Sequence, residues 1–208
     1  MPKGLSGSKF IFVGNHRCLD FINTQVIQRG SLVDLIGDFS DLVDWLAEAG
    51  VLDLAQARAA LRRWGSNSQG ERTLEMARKF RAVLRDTVER IANGKSFGQS
   101  AIDEINYLLR NRVGYTQLVR VKEGVKRQFH LELNEPIQLI TPIAESAGDL
   151  LCHSDFSLIK KCENPNCVLY FYDVSKNHAR RWCSMNTCGN RIKVAAHYRR
   201  YQLYRTKI

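Results

Sequence analysis

The sequence predicts a mainly α (α+β) protein. A multihelical N-terminal domain with a small β-hairpin or sheet spans 1–153, and a compact cysteine-rich module spans 154–208. Three observations carry this. The chain has 208 residues, enough for one ordinary domain and a small appendage. Apolar residues recur at helical spacing through most of the first 150 positions. Cysteines and positive charge both crowd into the last fifty.

In the body, Ser40 or Asp41 is expected to N-cap a helix that buries Leu42, Trp45, Leu46 and Ala49 and stops at Gly50. Asp53 caps the next, with a stripe of Leu54, Ala57, Leu61 and Trp64. Ser66 to Gly70 reads as loop. A long helix follows from about Glu71 to Ala92, with Ala77, Phe80, Leu84, Val88 and Ile91 on one face and Asn93-Gly94 as its C-cap. Ile102, Ile105 and Leu109 mark a shorter helix. Leu118–Val121 and Val125–Leu133 form a hairpin around Lys122-Glu123-Gly124, with Ile137–Ile140 as a third strand. Thr141 is the expected N-cap, with Pro142 at the first helical position, of a helix carrying Ile143, Ala147, Leu150 and Leu151. Residues 154–159 link this body to the C-terminal module.

The net charge of +10 is concentrated in that module. From Lys160 onward eleven Lys/Arg face only Glu163 and Asp173, a local +9, which leaves +1 for the remainder. A neutral body with a basic appendage points to a polyanionic partner. No apolar run approaches the roughly 20 residues of a membrane helix, and the N-terminal residues lack the apolar core of a signal peptide. The expectation is a cytoplasmic protein with no membrane partner.

Four of the six cysteines, Cys162, Cys167, Cys183 and Cys188, lie within 27 residues as two C-x4-C pairs. Reduced thiols at this spacing suit one tetrahedral Zn(2+) per chain, held by all four thiolates. Two disulfides are the rival reading, disfavoured in a reducing compartment. Glu163-Asn164-Pro165-Asn166 is a turn composition and Val168–Tyr172 a strand composition. Arg180–Cys183 is expected to return as the second strand of a hairpin. Cys188 opens a helix running to about Arg205, whose dipole and free N–H groups favour a thiolate. Knuckle, hairpin, knuckle and helix make a treble-clef-like zinc finger.

The stretch Cys162-x4-Cys167…Arg181-Trp182-Cys183-Ser184-Met185-x-x-Cys188-Gly189-Asn190-Arg191 resembles the CGNR zinc finger of bacterial proteins. Gly14-Asn15-x-x-Cys18-Leu19-Asp20-Phe21-Ile22-Asn23-Thr24, with Asp41-Leu42-x-x-Trp45-Leu46-x-x-Ala49-Gly50, resembles the ABATE domain that accompanies that finger. Such proteins are described as stress-induced transcription regulators. The resemblance implies DNA binding and covers nearly the whole chain.

Arg180, Arg191, Lys193, Arg199, Arg200 and Arg205 are the candidate phosphate contacts. Around the helix Arg191, Arg199 and Arg205 share one side and Lys193 and Arg200 another, with Ile192, Ala196 and Leu203 as a packing stripe. Lys161, Arg181 and Arg191 are candidates to neutralise the zinc–thiolate charge. Tyrosines 170, 172, 198, 201 and 204 are expected to pack the finger core. His16, Asp20 and Asn23 are the weakest candidates, lining a ligand pocket or serving as caps and buried hydrogen bonds. Cys18 and Cys152 read as buried structural cysteines, and His178 as a loop or phosphate-contact residue. No catalytic constellation stands out, so an enzyme is not expected. The leading function is a zinc-dependent regulator that contacts duplex DNA, its body forming a homodimer or sensing a small-molecule effector. The alternative is an RNA- or protein-interaction module in which zinc is purely structural.

Overall fold

The computed structural model describes residues 8–205, except for the side chains of 199–201 and 203–205. In chain order the elements are α1 (Arg17–Ile22), β1 (Gln25–Gln28), β2 (Ser31–Asp34), α2 (Phe39–Glu48), α3 (Leu54–Trp64), α4 (Ser68–Ala92), α5 (Gln99–Leu109), β3 (Gly114–Val121), β4 (Gly124–Leu131), α6 (Thr141–His153), β5 (Ile159–Lys161), β6 (Tyr170–Tyr172) and α7 (Asn190–Arg205). The strands form three antiparallel pairs, β1–β2, β3–β4 and β5–β6.

The chain divides into two compact units. One joins the N-terminal residues up to Leu35, the segment Val88–Ser96 and the chain from Ser154 onward; the other joins Ile36–Thr87 and Phe97–His153. A sequential division at 153/154 places the first 35 residues with the helices, whereas compactness places them with the cysteine-rich module.

The helical unit is built on apolar stripes. Asp38 caps α2 by accepting the Asp41 N–H at 2.8 Å. The expected caps Ser40 and Asp41 therefore lie inside the helix, where Asp41 instead takes the Gly37 N–H at 2.8 Å. The helix ends at Gly50, whose φ of 68° supplies the left-handed stop. Phe39, Leu42, Val43, Trp45 and Leu46 are its buried face. Asp53 and Gln56 form a reciprocal capping box on α3. α4 starts at Ser68, earlier than expected, because the Asn67 side chain accepts the N–H groups of Gln69 and Gly70. Phe80 and Leu84 are buried along it.

Two expectations in this unit fail for local reasons. Residues Pro136–Leu139 form a 3-10 turn, not a third strand, since Pro136 fixes a helical φ and Glu135 and Gln138 close a capping box around it. Thr141 is the first helical residue of α6 rather than its cap, and its buried hydroxyl donates to the Gln138 carbonyl at 3.0 Å. The apolar face of α6 packs near α5, with Ile143, Ala144, Ala147 and Leu150 buried. Cys152 points away from that face and is exposed, contrary to its reading as a buried residue.

The other unit, of similar size, begins with elements that periodicity does not reveal. α1 buries Cys18, Leu19, Phe21 and Ile22. β1 and β2 meet at Arg29-Gly30, where φ values of 49° and 85° match the primed turn favoured in tight hairpins.

Candidate metal centre and basic helix

β6 sits at the heart of this unit, and both of its edges are satisfied. On one side it pairs with β5, Lys160 opposite Phe171. The expected partner was Arg180–Cys183. That segment forms no strand, because the fully buried Asp173 carboxylate claims the backbone that would begin it: Oδ2 accepts the Arg180 N–H at 2.9 Å, and Oδ1 accepts the Ser175 N–H at 3.0 Å. Lys160 closes the turn, donating from Nζ to Asp173 at 2.7 Å and to the His178 carbonyl at 2.6 Å. Burial alone pushes the Asp173 carboxyl up. The Lys160 ammonium, the Ser175 hydroxyl and N–H and the Arg180 N–H outweigh it and hold the group well below the usual carboxylate range.

On its other side β6 is bonded by the N-terminal residues. Asn23, buried, acts as a surrogate strand: its Nδ2 donates to the Tyr170 carbonyl at 2.8 Å and its Oδ1 accepts the Tyr170 N–H at 2.9 Å. Two residues along, the Tyr172 N–H donates to the Gly14 carbonyl at 2.8 Å, and Asn15 Nδ2 donates to the Tyr172 carbonyl at 2.8 Å. Gly14 must be glycine, since a Cβ there would lie 2.8 Å from the Leu19 Cβ and 2.9 Å from the Asp20 N. Its N–H donates to Asp20 Oδ1 at 2.7 Å. Burial pushes the Asp20 carboxyl up to about 6, against the lowering pull of the Gly14 and Val13 N–H groups and of Arg180. The His16 ring stands edge-on to Tyr172 at 5.2 Å. The three residues considered as a ligand pocket, His16, Asp20 and Asn23, thus serve the clamp on β6. Short polar side chains beside glycine leave no periodic trace, which is why the role was open from sequence.

The four cysteines come together at the ends of these elements. Cys162 follows β5, and its N–H donates to the Leu169 carbonyl at 2.9 Å. The Asn164 side chain accepts the Asn166 N–H at 3.0 Å, which folds the chain back to Cys167. Cys183 follows the turn that Asp173 ties. Cys188 lies in a wide helical turn, Met185–Gly189, that leads into α7. The four sulfurs lie within 4.8 Å of one another, with Cys167–Cys183 at 3.8 Å and Cys183–Cys188 at 3.6 Å. A tetrahedron with Zn–S bonds of about 2.3 Å has edges of about 3.8 Å, so the donor set fits zinc. These separations far exceed a disulfide bond of about 2.05 Å. Four thiols without oxygen donors select a soft metal, and four protein ligands close the coordination sphere, as in structural sites. Among the thiols, Cys162 is pulled down to about 2 by hydrogen bonds from Cys167 and Cys183, and Cys167 is pushed up to about 12 as donor to Cys162.

Arg180, expected at a phosphate, faces inward. Its guanidinium donates to the carbonyls of Trp182 at 3.0 Å, Val13 at 3.0 Å and Cys183, and lies 4.0 Å from the Phe171 ring centre. Burial pulls the Arg180 guanidinium below its ordinary range, against the opposing pull of Cys183, Asp173 and Cys162. Arg181 pairs with Glu163 at 2.6 Å and Lys161 lies over the Tyr170 ring at 5.8 Å. Arg191 and Lys193 are exposed on the first turns of α7. The side chains of Arg199, Arg200 and Arg205, and of Tyr201, Leu203 and Tyr204, lie outside the described residues. Of the expected packing stripe, Ile192 is only half-buried and Ala196 is exposed. Tyr170 is buried and Tyr172 half-buried, while Tyr198 is 64% exposed rather than part of the core. His178 is exposed, in a left-handed turn with φ of 48°.

A clamped β-hairpin with four convergent thiols and a basic helix defines the class as a zinc-finger protein. Residues 159–201 match the profile of the CGNR zinc finger. Residues 15–154 match that of the ABATE family, described as "putative stress-induced transcription regulator". The chain belongs to the ABATE family and carries a CGNR zinc finger. No curated protein matches it. Among the described residues, no helix is long and apolar enough to cross a membrane.

Proposed function

We propose that this protein is a cytoplasmic, non-catalytic regulator of transcription, holding one zinc per chain and binding duplex DNA through α7. The observation that carries the reading is the state of that helix. Its described side chains from Arg191 to Tyr198 are exposed except for the half-buried Ile192. The helix contains five cations and no acid. A helix that is not packed on its own core and carries only positive charge has the form that enters a major groove or tracks phosphates. The metal centre fixes its first turn through Cys188. Arg191 and Lys193 lead the phosphate contacts, with Arg199, Arg200 and Arg205 further along; Arg180 organises the finger instead. The helical unit is left for dimerisation or effector sensing. A cleft of about 300 Å³, lined by Gln56, Ala60, Arg63, Trp64, His130 and Leu133, is the place for a small molecule.

Titrating the zinc-loaded protein with labelled duplex DNA at several salt concentrations tests this. The logarithm of affinity should fall with the logarithm of salt with a slope of about −0.9 per neutralised phosphate. Arg191→Ala and Lys193→Ala should each reduce the slope by about 1. Competition by structured RNA or an acidic protein in preference to duplex DNA would favour an RNA- or protein-interaction module with structural zinc.

A further inference from the structure

The hairpin of β3 and β4 is eight residues long on each strand and stays in register from Gly114–Leu131 to Val121–Gly124. At about 3.4 Å per residue it reaches roughly 27 Å. Of its two strands only Leu131 is buried. Neither outer edge pairs with another strand among the described residues. A lone two-stranded ribbon is at best marginally stable in water, yet this one exposes Leu118 by 74% and Val125 by 59%. Its distal end carries Arg120, Lys122, Lys126 and Arg127 against Glu123 alone. None of the four cations makes an ion pair among the described residues. That local +3 exceeds the +1 carried by all residues before Lys160, so the remainder of the body is acidic on balance.

We propose that this hairpin is a second nucleic-acid contact, a basic β-ribbon that lies in a groove of duplex DNA. The major groove accommodates a two-stranded ribbon. Arg120, Lys122, Lys126 and Arg127 reach phosphates, and Leu118 and Val125 meet the groove wall. Two other uses of such a ribbon fit less well. Charges that merely guard an open edge, lysines above all, serve along its whole length, whereas these gather at the tip. Pairing with a second copy across a two-fold axis sets the same cations against each other wherever the two tips overlap, which is unfavourable between strands.

The inference rests on the reading of the protein as a DNA binder, and the experiment separates the two. The triple variant Lys122→Gln, Lys126→Gln, Arg127→Gln changes only exposed side chains, and its circular dichroism checks the fold. It is compared with zinc-loaded wild type in the same salt titration with duplex DNA. The expected result is a salt slope smaller by about 2.7, three phosphates at about 0.9 each. That loss should add to the loss from Arg191→Ala and Lys193→Ala. Wild-type binding with an unchanged slope in the triple variant overturns the hairpin contact and leaves α7 standing. A change of oligomeric state in sedimentation with no change of slope overturns it in favour of a second copy. No salt-dependent binding by the wild type overturns both.

Discussion

The two units are held together by different physics. The helical unit follows apolar periodicity: Leu42, Trp45, Leu46, Phe80, Leu108 and Ile143 are all fully or almost fully buried on stripes three or four residues apart. The cysteine-rich unit also buries a core, Leu19, Phe21, Ile22, Tyr170 and Phe171, but sets it on strands of three or four residues. There, polar side chains complete the backbone of β6 from one edge, Asp173 ties the following turn, and four thiols gather the rest. Strands this short leave backbone groups that other partners must satisfy. The contrast implies that one unit should yield to lost volume and the other to lost donors or lost metal.

The largest effect should come from the metal. Structural zinc contributes about 10–16 kcal/mol to the folding of isolated fingers at neutral pH. Chelation, or Cys188→Ser, should therefore unfold the segment around Trp182 while most far-ultraviolet helical signal survives, since α2, α3, α5, α6 and most of α4 belong to the other unit. Metal analysis should return one zinc per chain. A single transition in which all helical signal is lost with the metal would erase the distinction between the units.

Smaller and opposite in address are two side-chain truncations. Phe80→Ala leaves a cavity in the helical unit and should cost about 3–5 kcal/mol there, with zinc retention unchanged. Asn23→Ala orphans both the N–H and the carbonyl of Tyr170, at about 1–3 kcal/mol each. Its cost should appear as faster zinc loss to a chelator, with the helical unit unaffected in denaturant titration. If Asn23→Ala weakens the helical unit instead, the clamp is not what holds β6.

This division also explains what the sequence made legible. Helices α2 to α6, the Asp53 cap and the Gly50 and Gly94 stops follow from spacing and cap chemistry, and the four cysteines follow from their count and separation. The partner of β6 does not, because Ile159–Lys161 is only three residues long and the competing segment Arg180–Cys183 is displaced by one buried carboxylate. The clamp was visible only as the matching Gly14–Thr24 motif, since amide side chains that stand in for a strand have no period. Arg180 was misplaced because a cation beside aromatic and thiolate groups looks, in sequence, the same as one beside a phosphate.

The smallest effect is electrostatic and sets two carboxylates of the same unit against each other. Asp173 is held below its unfolded value of about 3.9. Its contribution is therefore present above about pH 4 and is lost as pH falls further. Asp20 is raised to about 6, so the folded state binds the extra proton between about pH 4 and 6. Stability from Asp20 accordingly declines as pH rises through that window. Asp20→Asn retains an Oδ1 for the Gly14 N–H and removes the charge. It should match wild type near pH 4 and exceed it near pH 7, by on the order of 1–2 kcal/mol after solvent screening. Because zinc affinity itself depends on pH, the quantity to measure is the difference between variant and wild type in urea midpoint, followed by Trp182 fluorescence at each pH. A difference independent of pH would mean that Asp20 is charged in the clamp, with the attraction of Arg180 outweighing its burial.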